Sequence, residues 1–203
     1  GVSRASTPLP LPPPRLVGSC SVEQALAERR SVREFRQEPI SLAHLGQLLW
    51  AAQGVTHPWG YRTAPSVGSL FPISALVAVR QVDGLAAGLF RYLPAEHALV
   101  PLCEDCRAAA LGLAALGQAA VSKAPAVICL VGAPDLPQQS YGPRGQSFLH
   151  IEAGHVAQNV ALQATALGLG SVMIGIFEEQ EIASLLQLSP AERPLCLIPV
   201  GKR

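Results

Sequence analysis

The apolar and polar positions of this chain fall into alternating helical and extended patterns. Ser21-Val-Glu-Gln24 reads as a capping box, with a hydroxyl and a side-chain amide spaced to satisfy the first free N–H groups of a helix running to Arg29. A second helix is expected from Ser41, its N-cap, to Gly54, a residue suited to the left-handed turn after a helix. Its apolar positions Leu42, Leu45, Leu48, Leu49 and Ala52 recur at helical spacing. "ISALVAV" (73–79) and "GLFRYL" (88–93) predict strands, with a shorter one at "HALVPL" (97–102). A helix over 104–117 follows, then the buried-strand pattern "PAVICLVG" (125–132). Residues 147–168 form the longest helical segment, apolar almost all round, with Glu152 its only acidic residue. Such a helix is expected to be buried on every side, in a core or a subunit interface. A strand at "SVMIGIF" (171–177), a short helix at 179–186 and a terminal strand at "LCLIPVG" complete the pattern. The strands across 73–102 follow one another without helical crossovers, which predicts an α+β fold and not a doubly wound sheet.

Residues 1–18 are different. They are proline-rich, with "PLPLPPP" in their middle, and favour an extended arm lying on a surface, that of this chain or of a partner subunit. The organisation read from the sequence is therefore an arm over 1–18 and one domain over 19–203, long enough to bury a sizeable core.

Composition narrows the function. Of 203 residues 49% are hydrophobic and only 14% charged, and the formal net charge is +1. That balance gives no general attraction to nucleic acid or acidic membranes, so neither is expected as a partner. No apolar run reaches the roughly 18–20 residues needed to span a bilayer. The five cysteines are odd in number and scattered, which suggests free thiols and a reducing, cytoplasmic setting. Cys103 and Cys106 have metal-like spacing, but no second pair follows, and no metal site is expected.

Against this charge-poor background "RRSVREFRQEPI" (29–40) places four arginines within eight residues. Arg29 and Arg30 also suit a helix C-terminus, whose partial negative charge favours cations. That does not account for Ser31, Arg33 and Arg36, which lie beyond the last turn. Guanidinium groups flanking a hydroxyl are a common way to clasp a phosphate, since arginine donates bidentately and serine adds a neutral donor. Glycine-rich phosphate cradles are absent from the sequence, and "LGLGS" (167–171) ends a helix instead of opening one.

Four motifs in order carry a family resemblance. "RRSVREF" (29–35) resembles the opening motif of the nitroreductase-like flavoprotein superfamily, and "RTAPSVGSLFP" (62–72) is similar to its SagB-type dehydrogenase branch. "AGHVAQNVALQATALGLGSVMIGIF" (153–177) resembles that branch's central helix and following strand, and the ending "LIPVGK" matches too. The resemblance spans about residues 20–203 and implies a mixed sheet flanked by helices, in a homodimer with one FMN at each end of the subunit interface. Carried over residue by residue, Arg29, Ser31 and Arg33 would hold the phosphate and ribityl chain, with Arg30 adjacent. Pro65, Ser66, Gly68 and Ser69 would line the flavin from the other subunit. Gly175 and Ile176 would approach the ring edge, and Lys202 or Arg203 would complete the phosphate site.

Reduced flavin is an anion near neutral pH, so a cation near its pyrimidine edge stabilises it, with Arg33 and Arg62 the candidates. The expected activity is reduction of a small nitroaromatic, quinone or other conjugated acceptor with NAD(P)H as co-substrate. The alternatives are azoline oxidation on a modified peptide and non-catalytic flavin binding. His155 and Asn159, four apart on the long helix, could touch cofactor or substrate, although a histidine there is more often a satisfied core residue. Tyr141 is the candidate catalytic side chain, at a family position often written Lys-Tyr. Here Ser140 replaces the lysine, and a neutral hydroxyl is a poor substitute for an amine base.

Overall fold

The computed structural model describes residues 7–203. In chain order its elements are β1 (Leu9–Pro10), α1 (Val22–Glu28), β2 (Ile40–Ser41), α2 (Leu42–Gln53), β3 (Ile73–Val79), β4 (Val82–Asp83), β5 (Gly88–Leu93), β6 (Ala98–Cys103), α3 (Ala108–Ala114), α4 (Ala119–Lys123), β7 (Ala126–Gly132), α5 (Asp135–Tyr141), α6 (Arg144–Ala166), β8 (Leu169–Ser171), α7 (Glu179–Leu185) and β9 (Arg193–Lys202). Seven strands form one sheet in the order β1-β6-β5-β3-β7-β9-β8, antiparallel at every pairing. Among the described residues, parallel pairing is confined to β2 with β4 and to a bridge between Ser31 and Ser171. The fold is α+β, as the run of consecutive strands predicts.

The central strands read as continuous apolar runs because both faces of the sheet are covered. Ala75, Val77, Ile128 and Leu130 point into one core with Leu45, Leu48 and Leu49 of α2 and Leu149, Val156 and Val160 of α6. The alternate residues Leu76, Ala78, Val127 and Cys129 enter a second core with Leu111, Val121 and Ile182 of the opposite helices. Each fully buried Leu or Ile contributes on the order of 1.5–3 kcal/mol, so these two layers dominate the stability.

Both expected N-caps form: Ser21 Oγ accepts from Gln24 N and Ser41 Oγ from His44 N, each at 3.0 Å. Other expectations change. Gly54 is not left-handed (φ −60°); a Cβ there would stand 2.1 Å from Trp50 Cδ1, so close approach explains the glycine. The single helix expected over 104–117 is shorter and is followed by a separate helix, α4, because Leu116 and Gly117 turn left-handed between them. Helix α6 is not buried all round in this chain. Gln146, His150, Gly154 and Gln158, spaced at i, i+4, form an exposed stripe. The strand expected at 171–177 is regular only to Ser171; beyond it Val172 N–H reaches the Pro199 carbonyl at 3.4 Å and Ile174 bridges Leu197 of β9.

The proline-rich segment lies on its own chain. Leu9 pairs with Leu99 at the edge of the sheet and Leu11 is buried. Gln47 clamps Arg15 at both its N–H (2.8 Å) and its carbonyl (3.0 Å), and His97 Nε2 stands 2.9 Å from the Pro12 carbonyl. Residues 1–6 of the expected arm lie outside the described residues.

Candidate functional site

The arginine segment follows α1 and runs along the sheet edge. Val32 N–H donates to the Ser171 carbonyl at 2.9 Å, and Arg36 N–H to the Lys202 carbonyl at 3.0 Å. This pairing fixes Ser31 beside β8 and alternates the side chains on either side of Val32. Arg30 folds back, its guanidinium donating to the carbonyls of Ala27 (3.0 Å) and Arg29 (2.7 Å), so it caps the end of α1. Arg29, half-buried, faces the other way into a cavity.

Beyond β8 the chain leaves the sheet and exposes Met173 and Ile176. Two cavities meet along this departing segment. One, of about 240 Å³, is lined by Arg29, Ser31, Gly154, Gln158, Ser171 and Met173. The other, of about 340 Å³, is lined by Arg33, Gln118, Gly175 and Ile176, and the two share Val172 and Met173. Gln118 Nε2 donates to the Ile176 carbonyl at 3.1 Å and steadies the outer wall. Together they form a trough, with Gly154 and Gln158 of α6 on one side. Neither Arg29 nor Arg33 has an ion-pair partner among the described residues. Unpaired arginines lining a concave surface suit an anionic group.

Two glycines in this trough have no packing reason within the chain. A Cβ on Gly154, in mid-helix, or on Gly175 would meet nothing within 4 Å. A mid-helix glycine costs roughly 0.5–1 kcal/mol relative to alanine, so an unexplained one beside a cavity marks a surface that something approaches closely. Gly154 and Gln158 are absent from the residues expected on sequence grounds, although their i, i+4 spacing with Gln146 and His150 was there to be read.

The second motif lies elsewhere. Pro65, Ser66, Gly68 and Ser69 line neither cavity of the trough. They belong to a loop around a single 3-10 turn, Val67–Ser69, on another side of α6. Ser66 Oγ donates to Glu152 Oε2 at 3.0 Å and accepts from Phe71 N–H at 2.8 Å. Tyr141, at the end of α5, reaches this loop: its hydroxyl lies 2.6 Å from where a Cβ on Gly68 would be. Arg62 is half-buried against the loop, donating to Gln53 Oε1 at 2.8 Å with its guanidinium 4.5 Å from the centre of the Phe71 ring. Asn159 spends its amide on the Ala51 and Thr63 carbonyls (3.0 and 3.2 Å), a structural use, and His155 is exposed. At the C-terminus Lys202 pairs with Glu38 at 3.1 Å, and Arg203 Nε donates to the Leu169 carbonyl at 3.1 Å.

Glu152 is buried at 3% exposure, and burial raises its pKa. The Ser66 and Val67 hydrogen bonds, Arg62 and His155 act in the opposite direction. A separate cavity of about 350 Å³ lies between α1, α2 and α6, lined by Ala25, Trp50 and Leu162 among others and by no charged side chain.

The antiparallel α+β layers thus carry a concave surface lined by Arg29, Ser31 and Arg33, with Gly154 and Gly175 open to it. Residues 26–202 match the Nitroreductase family, and the chain belongs to that family and is an oxidoreductase. It is 41% identical over 182 residues to the Methanocaldococcus jannaschii protein named "Putative nitroreductase MJ1384", covering 90% of this chain and 91% of that one. Among solved structures it resembles a "putative nitroreductase" of Ralstonia eutropha JMP134, with TM-score 0.84, 30% identity, and coverage of 100% of this chain and 91% of that one. A chain of the E. coli microcin synthetase McbBCD complex shares the fold at TM-score 0.73 and 22% identity, covering 95% of this chain and 76% of that one. Among the described residues no helix is long and apolar enough to cross a membrane.

Proposed function

We propose that the chain is an FMN-dependent reductase that takes electrons from NAD(P)H and delivers them to a nitroaromatic, quinone or other conjugated acceptor. The observation that carries this reading is the trough itself, with unpaired Arg29 and Arg33, with Ser31 beside Gly154, and with open space where a Cβ on Gly154 or Gly175 would stand. The donor set fits the cofactor. Arg29 and Ser31 supply charge and a hydroxyl for a phosphate, while Gly154, Met173 and Gly175 leave a flat, partly apolar wall for a ring system. FMN bound there supplies two-electron transfer between a nicotinamide donor and a conjugated acceptor. The residues of this chain bind and orient: Arg33 places positive charge along the trough, and the Ile176 carbonyl is held by Gln118.

In this reading the cofactor site is completed across a homodimer: the Pro65–Ser69 loop, which lines neither cavity of its own chain, would serve the partner's site. The exposed apolar residues Ile151 and Met173 suit such an interface. The proposed setting is cytoplasmic.

A second reading places the chain in the SagB-type branch, oxidising azolines on a modified peptide. The loop sequence "RTAPSVGSLFP" and the approach of Tyr141 to Gly68 favour it. Ser140 disfavours it, since removing a proton from carbon needs a base within reach and a neutral hydroxyl is a poor one.

The test is one visible spectrum and one anaerobic mixing experiment. The purified protein is expected to be yellow with about one FMN per chain, to bleach with NADPH and to recover with a nitroaromatic. A colourless protein that fails to bind added FMN sinks the reading. Bleaching by an azoline peptide, with none from NADPH, reverses the ranking of the two activities. A monomeric mass by light scattering with FMN bound refutes the shared site.

A further inference from the structure

The loop that carries Ser66 and Gly68 is held by a carboxylate to which the reading above gives no role. Glu152 is the only acidic residue in the 23 residues of α6 and is buried at 3% exposure. Its Oε2 accepts from Ser66 Oγ at 3.0 Å and from Val67 N–H at 3.4 Å. Ser66 Oγ also accepts from Phe71 N–H at 2.8 Å. One carboxylate oxygen and one hydroxyl therefore tie together both ends of the loop.

The loop needs holding. Gly68, Ser69 and Phe71 all have left-handed backbone, with φ of 55°, 54° and 48°. For Ser69 and above all Phe71 this conformation is unfavourable and persists only where surrounding contacts over-determine it. The charged and titratable groups about the carboxylate are Arg62 from the loop's start and His155 from α6 itself, and Tyr141 meets Gly68 from α5. A neutral, well-packed side chain would fill the space without the desolvation that a buried carboxylate suffers. Keeping the charge makes sense if its strong acceptor is what fixes the loop.

We propose that Glu152 is a positioning residue, which acts through the Ser66 hydroxyl and the Val67 amide to hold the Ser66–Ser69 loop in its cofactor-facing geometry. This rests on the reading of Pro65, Ser66, Gly68 and Ser69 as a flavin-lining loop. Glu152 touches neither cofactor nor substrate in it.

The experiment is amide hydrogen exchange on the full chain, with FMN removed and restored, alongside FMN affinity by fluorescence. Three variants are compared with wild type: Glu152→Ala, Glu152→Gln and Ser66→Ala. The last leaves the glutamate in place should Glu152→Ala fail to fold. Glu152→Ala and Ser66→Ala are expected to speed exchange at the Val67 and Phe71 amides about tenfold or more, with Leu76 and Val127 in the central strands unchanged. The FMN dissociation constant is expected to rise about tenfold in the same variants, with Glu152→Gln intermediate in both measurements. Wild-type exchange at Val67 in both variants overturns the proposal. Faster exchange with unchanged FMN affinity also overturns it, since the carboxylate would then order a loop the cofactor does not use. A wild-type protein that binds no FMN fails the flavin reading instead, and exchange at Val67 still decides whether Glu152 holds the loop.

Discussion

The Tyr141 hydroxyl stands 2.6 Å from the point that a Cβ on Gly68 would occupy. Gly68 is also left-handed, at φ 55°, so alanine there meets both a backbone cost and a neighbour. Gly68→Ala is expected to lose about 1–2 kcal/mol in a denaturant titration and to displace Tyr141. Tyr141→Phe, which keeps the ring, should leave stability within about 0.5 kcal/mol. Equal stability of Gly68→Ala and wild type would mean that the loop relaxes freely.

Arg29 and Arg30 are neighbours with opposite employment. Arg29→Ala should weaken FMN binding about tenfold or more, the effect of losing a charge-assisted contact worth about 1.5–3 kcal/mol. Arg30→Ala removes the cap on α1 and should cost a few tenths to about 1 kcal/mol of stability, with FMN affinity unchanged. Arg33→Ala should lose more affinity than Arg36→Ala, because Arg33 lines the trough. Fluorescence titration of the four variants checks the set, and equal affinities would misplace the phosphate.

Gly154 separates folding from binding. Gly154→Ala is expected to raise the stability of the cofactor-free protein by roughly 0.5–1 kcal/mol, because nothing crowds the new methyl. Gly154→Leu should keep the fold and lose FMN. A Leu variant that binds FMN as wild type does would show that α6 does not face the ring.

Glu152 gives a pH signature. Burial raises its pKa, so its contribution to folding stability is fully present below its unfolded value near 4.5 and is lost as the pH rises through the folded value. Glu152→Gln removes that loss. The variant is therefore expected to be more stable than wild type at pH 7–8, with the gap closing towards pH 4. A constant difference in thermal midpoint across that range would exclude a raised pKa.

His97 gives the opposite one. The Pro12 carbonyl only accepts, so Nε2 carries the proton and the Tyr92 hydroxyl donates to Nδ1 at 2.8 Å. Burial lowers the pKa of His97, and its stabilisation, present above about 6.5, is lost as the pH falls through the depressed folded value. Exchange protection at the Leu11 amide, which bonds the His97 carbonyl, should therefore fall at acid pH. His97→Asn, which tolerates the left-handed backbone there, should abolish that dependence.

What the sequence made legible follows from these contacts. Strand β3 lies at its predicted limits because a continuous apolar run has one use in a sheet covered on both faces, and β5 does so with Arg91 its one charged residue. Helix α5 gave no signal: "DLPQQSY" is polar and carries Pro137, and only its packing against α6 makes it a helix. The 147–168 segment looked apolar all round because its small residues hid a polar stripe. Arg29 and Ser31 do line a cavity, but the loop hydrogen bonds of Glu152 could not be read, since 86 positions separate it from Ser66.

The segment that carries the arginines also closes one margin of the sheet, through Val32 against Ser171 and Arg36 against Lys202. Such a margin breathes more readily than the central strands, and a strand margin laid bare invites other chains to pair with it. An anion gripped by Arg29 and Ser31 would staple that seam, stabilising the closed form in proportion to its occupancy. Starved of its ligand, the protein should first become sticky at this border, well before its two cores give way.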